Sequence, residues 1–544
     1  MTGRYDRHRP VAAAFALGLV HALSFAPDPL PDWALPYVQV FSLAGLLYLA
    51  LRAQTARQAA VRGFAFGIAN FTLGLYWLYI SMHEYGAMAA PLAGAGVVAL
   101  SAFEAVFIAL ACALAFRVCA GWAAQPLYWR GSLQLAAVWA SSWTLFEWLR
   151  GTLFTGFPWL NIAYAHVEGV LAPWAPVVGV YGVAWLAAFA AASIAALGHD
   201  KRRAKPEHTA PRFGAHAGVA MTLLIGMAGM GLSLASWSTP DGKPLIMRLV
   251  QGNVPQSMKF DPRHVEQGIR DYLALAAVAP QAPEGAPKIV VLPETVVPVF
   301  QDAVSESLWR QWLDVARQRD AHILMGIPLY EERNRQGRYT NSAIAFDAQT
   351  PMAGLRSGRL AMRYDKQHLV PFGEFIPPGF RWFVDAMEIP LGDFVRGPIR
   401  QPLFPIEGQH LSVNICYEDV FAEEIIQTVR DSDAKGPGAS ILVNISNLAW
   451  FGDSWALRQH LRIARMRALE TARPMVRATN TGMTAYIGPK GQVYASLAPM
   501  TVGVLDVEVQ GMTGYTPYVR MGNPPVLTWA LAILLLSAWF RRRV

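Results

Sequence analysis

The chain has 544 residues, of which 53% are hydrophobic and only 15% charged, against roughly 25% charged in an ordinary soluble domain. That deficit of charge, with a positive mean hydropathy, argues against a wholly soluble chain. The formal net charge of +8 is gathered in short basic clusters beside apolar runs, the pattern that orients membrane spans and not the footprint of a nucleic-acid binder.

Apolar segments fall at about 11–26, 33–51, 63–81, 91–116, 132–149, 177–197 and 217–236, with an eighth at about 526–540. Several approach the roughly 20 residues that cross a bilayer core. The first is short and carries His21. It is not read as a cleaved signal peptide, because a second apolar run follows at once and no small-residue cleavage site is evident. Glu104 lies inside the fourth segment, where a satisfied interhelical hydrogen bond is the plainer reading of an intramembrane acid than a functional one. Basic residues cluster before segment one (Arg4, Arg7, Arg9), after two (Arg52, Arg57, Arg62), around the loop after four (Arg117, Arg130), after six (Lys201, Arg202, Arg203, Lys205, Arg212) and after eight (Arg541, Arg542, Arg543). These are alternate loops, as eight spans with both termini in the cytoplasm require. The expected domains are 1–240, a transmembrane domain of seven helices, 241–520, an extracytoplasmic domain, and 521–544, a last transmembrane helix.

The long region between segments seven and eight has another texture. Leu245–Val250, Lys288–Leu292, Ala321–Met325, Leu411–Ile415 and Ile441–Val443 read as buried strands. Ser305–Arg319, Val420–Arg430 and Ser454–Ala472 have helical spacing, and Ala279–Pro287 reads as a Pro-rich surface loop. Strands alternating with helices imply an α/β layered domain.

Three cysteines are too few for a disulfide framework. Cys112 and Cys119 lie in or beside an apolar run; Cys416 stands alone in the α/β region, where a strand runs straight into it and a helix is expected to follow. A thiol at a strand-to-helix turn meets a helix terminus, which favours thiolate and can bind an oxyanion. Lys366 lies in the Pro/Gly-rich, aromatic-flanked stretch Tyr364-Asp365-Lys366-Gln367-His368, where a cation can stabilise thiolate and oxyanion. Glu294 ends a buried-type strand in Leu292-Pro293-Glu294, where burial would raise its pKa toward neutrality and suit it to general-base work. Taken singly, each has an ordinary explanation: a structural thiol, a solvated ammonium, a strand-end acid. Together, each in its own distinctive setting and in the order Glu, Lys, Cys, they are harder to explain that way. The histidines lack metal-ligand spacing and no phosphate-cradling Gly-rich loop is evident, so no metal and no cofactor are expected.

Leu-Pro-Glu at 292–294, Tyr-Asp-Lys at 364–366 and Cys-Tyr-Glu at 416–418 resemble the three motifs of the nitrilase, or carbon–nitrogen hydrolase, superfamily, whose catalytic set is Glu–Lys–Cys. With the membrane segments, and with Trp148–Leu160, His368–Pro377 and Asn444–Asp453, nearly the whole chain resembles the apolipoprotein N-acyltransferase family. Leu448 departs from the acidic residue expected at that position, which puts in doubt any role carried over to it. The resemblance implies an α-helical membrane bundle of eight transmembrane helices plus an extracytoplasmic α/β nitrilase-like domain, a four-layer α-β-β-α sandwich. It implies catalysis by Glu294, Lys366 and Cys416, with Glu374, Tyr417 and Glu418 in support. The donor would be a phospholipid, typically phosphatidylethanolamine, and the acceptor the free amine of a lipoprotein's diacylglyceryl-cysteine. The setting would be the bacterial inner membrane, with the catalytic domain in the periplasm. Aromatic side chains at Trp450, Phe451, Phe372 and Phe375 would form an apolar mouth that keeps water from the thioester. Two other readings use the same residues differently: a membrane-tethered amidase with water as acceptor, and a non-catalytic lipid-binding or transport scaffold, against which the intact Glu/Lys/Cys set argues.

Overall fold

The computed structural model describes residues 2–119, 129–200, 216–280, 285–333, 336–377, 379, 381, 394–430 and 437–541. The basic cluster at 201–212, Arg542, Arg543 and the middle of the Ala279–Pro287 loop lie outside them. The chain divides into two compact units: 1–79 with 91–235 and 521–544, and 80–90 with 236–520.

The first unit is helical. Its principal helices are Thr2–Ala22, Leu35–Leu51, Ala56–Gly74, Ala90–Cys119, Trp129–Arg150, Ala175–Asp200, His216–Leu232 and Pro524–Arg541. Four stretches are long and apolar enough to cross a membrane: Asp32–Leu51, Ala90–Cys119, Ala172–Gly198 and Pro524–Arg541. Ala56–Gly74 and Trp77–Tyr85 make a fifth if they count as one span, bent by 51° at its break. Apolar side chains face outward on the last two helices, among them Leu223, Leu224, Met227 and Met230 on one and Trp529, Leu531, Leu535 and Leu536 on the other. A lipid environment accounts for such surfaces, which water would penalise. Helices approach closely where side chains are small: a Cβ at Gly18 would stand 2.2 Å from the Phe66 carbonyl oxygen, so glycine is what lets Thr2–Ala22 lie against Ala56–Gly74. Glu104 is fully buried and pairs with Arg150 at 3.3 Å. Its partner is thus an ion on a neighbouring helix, and Arg150 also donates to the Phe157 and Trp159 carbonyls.

The second unit holds two six-stranded mixed sheets. The strands are β1 (Thr239–Pro240), β2 (Leu245–Gln251), β3 (Ile289–Val291), β4 (His322–Arg333), β5 (Gln336–Phe346), β6 (Met362–Asp365), β7 (Phe404–Ile406), β8 (Gln409–Ile415), β9 (Ile441–Ser446), β10 (Met475–Thr479), β11 (Ala485–Ile487), β12 (Val493–Ser496), β13 (Gly503–Val509) and β14 (Met512–Thr513). One sheet runs β13-β2-β3-β4-β5-β6 and the other β12-β11-β10-β9-β8-β7, while β1 and β14 form a separate ribbon. The pairs β2/β3, β3/β4, β8/β9 and β9/β10 are parallel, so the loops after β3, β8 and β9 leave from carboxyl ends, where α/β sheets place their sites.

One apolar cluster draws on both sheets, with Met247, Leu249 and Val291 from the first and Val413, Ile415 and Val443 from the second. Another joins the first sheet's other face to the helices Val265–Ala277 and Glu306–Arg319 through Tyr272, Trp309 and Trp312. Ser305 caps the latter helix by accepting from the Leu308 N–H, and Asp320 ends it in the left-handed conformation. The strand expected over 321–325 runs on to Arg333 because it pairs with β5 along its whole length.

Candidate active site

Glu294 follows β3, Lys366 follows β6 and Cys416 follows β8. The backbone that carries Glu294 lies against β4: the Gly326 N–H donates to the Pro293 carbonyl (3.1 Å), and the Val296 N–H to the Gly326 carbonyl (2.9 Å). A Cβ at Gly326 would stand 2.5 Å from the Thr295 nitrogen and 2.6 Å from the Glu294 Cα. Only glycine permits this approach. Lys366 is fixed at its own backbone, its N–H donating to the Asn341 carbonyl at 2.8 Å.

These segments bring Glu294, Lys366 and Glu374 together. Lys366 Nζ lies 2.8 Å from Glu374 Oε1 and 3.4 Å from Glu294 Oε1. Asn341 Nδ2 donates to both carboxylates, at 2.7 Å each. Glu294 Oε2 accepts from the Asn447 N–H at 2.9 Å, and Glu374 Oε2 from the Val370 N–H at 2.8 Å. Burial works against the Lys366 ammonium, but Glu374 and Glu294 outweigh it and hold its pKa well above the ordinary lysine value. Its two carboxylate partners therefore favour the charged ammonium.

Cys416 begins a short 3₁₀ turn, Cys416–Val420, with φ +53°. The left-handed φ costs a non-glycine residue about 1 kcal/mol and swings the thiol off the line of β8. Two donors hold the Cys416 carbonyl: Asn444 Nδ2 at 3.1 Å and His460 Nε2 at 3.2 Å. Arg477 Nη2 donates to His460 Nδ1 at 2.7 Å, so the ring proton sits on Nε2, which also meets Asp419 Oδ1 at 2.7 Å. Cys416 as a residue is half-buried, yet burial, with Glu294 adding to it, pushes the thiol pKa well above its ordinary value, and Lys366 only partly opposes. This direction runs against the expected bias toward thiolate. The helix that would supply it is a five-residue turn with Glu418 and Asp419 in its first positions, and enclosure outweighs so small a dipole. The regular helix starts later, at Ala422–Val429.

Glu418 ties two of these segments together. Its Oε1 accepts from the Gln367 and His368 N–H groups and the Tyr364 hydroxyl, and its Oε2 accepts from the Ile415 N–H at 2.7 Å. The loop carrying Lys366 is thereby pinned to the turn carrying Cys416. Tyr417 is buried edge-on to Phe421, with ring centroids 5.2 Å apart, and Phe421 stacks on His368. Trp450 packs between Phe260 and Tyr85, at 6.4 and 6.2 Å, and Phe372, Phe375 and Phe451 are half-buried. Leu448 is buried in the 3₁₀ turn Leu448–Phe451; the polar contact there is made by the neighbouring Asn447 backbone.

The sequence reading did not single out Asn341, Asn447 or Lys259. Lys259, 4% exposed, donates to the Glu294 carbonyl at 3.0 Å. Asn341 stands between Thr340 and Ser342 in β5, so no local pattern marks it. Among the described residues no group of three His, Cys, Asp or Glu side chains is placed to hold a metal ion.

Residues 17–193 match the family model of the apolipoprotein N-acyltransferase N-terminal domain, and residues 244–518 that of carbon–nitrogen hydrolases. An apolipoprotein N-acyltransferase of Bordetella bronchiseptica is 54% identical over 99% of this chain and 98% of its own length. Those of Ralstonia nicotianae and Nitrosomonas europaea are 43% and 40% identical, over 98% and 97% of this chain and 94% and 96% of theirs. A solved amidase of the nitrilase superfamily from Nesterenkonia sp. AN1 is 19% identical over 53% of this chain and 97% of its own, with a TM-score of 0.36.

Proposed function

The chain belongs to the apolipoprotein N-acyltransferase family, and from that membership we propose that Glu294, Lys366 and Cys416 acylate a lipoprotein's N-terminal amine through a thioester on Cys416. The observation that supports this most directly is the charge cluster in which Glu294 and Glu374 flank Lys366 and which acts electrostatically on Cys416.

Glu294 takes the proton from the Cys416 thiol, and the sulfur forms a bond to the sn-1 ester carbonyl of a phospholipid. A resting thiol, protonated because it is enclosed, makes that base necessary. Lys366 and the Tyr417 N–H stabilise the oxyanion. The Cys416 carbonyl is held by Asn444 and His460, and in a trans peptide the next N–H points the opposite way, which orients that of Tyr417. The ester C–O bond breaks, Glu294 returns its proton to the departing oxygen, and a lysophospholipid leaves. The diacylglyceryl-cysteine amine then forms a C–N bond as the C–S bond breaks, and its proton passes through Glu294 to the thiolate. Glu374 orients Lys366, and Glu418 holds the Lys366 loop to the Cys416 turn.

The reading takes domain limits of 1–240, 241–520 and 521–544 from the sequence. Eight spans, cytoplasmic termini, a periplasmic catalytic domain with four α-β-β-α layers, an inner-membrane setting and phosphatidylethanolamine as donor complete the reading. The membrane setting has a chemical reason: both substrates are anchored by acyl chains, and an apolar mouth around Trp450 would keep water from the thioester.

The test uses purified protein and phospholipid labelled on its sn-1 chain, without acceptor. Mass spectrometry should find the label on Cys416, absent in Cys416→Ala and discharged by a diacylglyceryl peptide with a free amine. No adduct in detergent or in bilayers would remove the thioester step. An adduct released only to water would favour hydrolysis over transfer.

A further inference from the structure

Lys259 ends the short Gln256–Lys259 helix that follows β2. It is a buried cation whose partner is the Glu294 backbone carbonyl at 3.0 Å, a neutral acceptor that does little to offset the cost of enclosing an ammonium. Burial pulls its pKa down to about 7, and the negative forms of Glu294 and Cys416 oppose that fall, so both are near enough to act on it. The charges of the site explain why a lysine is kept there. Glu294, Glu374 and Lys366 sum to one negative charge while Cys416 is a thiol. Passing the thiol proton to Glu294 moves that charge to sulfur without changing the total. A protonated Lys259 beside Glu294 and Cys416 offsets that one negative charge of the four groups, whether it sits on Glu294 or on sulfur.

We propose that Lys259 is a second cation of the catalytic site, a positioning residue that holds the Glu294 backbone through its carbonyl and offsets the negative charge that Glu294 and Cys416 exchange. This rests on the thioester reading. Glu294 and Cys416 act on Lys259 electrostatically, and His264 and Tyr272 line a small cavity with it. Tyr272 is occupied with Asn480, and Asp261 with Arg263 and His264, which leaves Glu294 and Cys416 as the negative charges Lys259 serves. The partly exposed His264 lines the same cavity.

The test is iodoacetamide alkylation of Cys416, followed by mass spectrometry in the full-length protein from pH 6 to 10. It needs no lipid, so it stands or falls apart from acyl transfer, which the labelled-phospholipid assay reads separately. Lys259→Met should slow alkylation between pH 6 and 7, where Lys259 carries its charge, about tenfold or more and displace that part of the pH profile upward. Lys259→Arg, which keeps the charge, should recover most of the rate and the original profile. If the Met variant does not fold, Lys259→Gln, which can still donate to the Glu294 carbonyl, is read for the same displacement. A neutral variant with wild-type rate and profile would overturn the proposal. So would Met and Arg variants that are equally slow with an unshifted profile, since that describes packing alone.

Discussion

Asn341 is a single amide that donates to two carboxylates, and Lys366 lies against the same two oxygens. Replacing Asn341 with alanine leaves Lys366 as the one side chain that bridges Glu294 and Glu374, each of which keeps a single backbone donor. Hydrogen bonds to charged groups contribute about 1.5–3 kcal/mol, so Asn341→Ala should slow formation of the Cys416 adduct about 10- to 100-fold, read by rapid quench against wild type. A slowing under twofold would show that the amide does not orient the pair. The enclosed thiol makes a second prediction. Because its pKa lies well above the ordinary value, alkylation of Cys416 should keep rising through pH 9. A plateau near the ordinary thiol range of about 8.5 would mean that the site favours thiolate at rest. Stability follows the same logic at Lys259. Its folded pKa of about 7 lies below the ordinary lysine value, so the folded state holds fewer protons there than the unfolded chain. Its linkage cost is largest below pH 7 and fades as pH rises from 7 toward the unfolded value of about 10.4.

At the scale of elements, the site is a set of strand ends held in register. Gly326 on β4 lets the Glu294 turn lie directly on its neighbour, and a methyl group there has no room. Gly326→Ala should cost about 1–3 kcal/mol of stability, as overpacking does, and should also slow acylation, because the displaced atoms belong to Glu294 itself. Thermal melting and the adduct rate measured on the same preparation would check this; a lowered melting point with an unchanged rate would mean that the turn recovers its geometry. Glu418 works across elements too. Its acceptors join the end of β8 to the loop after β6, two segments from different sheets that no local pattern relates.

At the scale of the molecule, residues 80–90 group with the α/β unit although they lie between helices of the other unit in the chain. Tyr85 meets the Trp450 ring edge-on at 6.2 Å, and such pairs contribute about 0.5–1.5 kcal/mol beyond burial. Tyr85→Ala should lower the melting transition of the α/β unit in nanodiscs, followed by tryptophan fluorescence, while Tyr85→Phe should not. Equal transitions for both would show that the contact adds nothing. Much was legible from residue order alone. Apolar runs located the helices and alternation of strands and helices located the α/β region, because periodicity and burial of apolar surface act locally along the chain; the motif resemblance named Glu294 and Lys366, which the fold places 3.4 Å apart. What only the tertiary structure decided lies in partners far apart in sequence. Asn341 is 47 positions from Glu294, Lys259 is 35 and Asn447 is 153, and they meet because sheet register and loop closure bring them together. The ionisation of Cys416 was decided there as well: a helix start can be read from sequence, but enclosure by the surrounding segments cannot, and for a buried thiol desolvation is the larger effect.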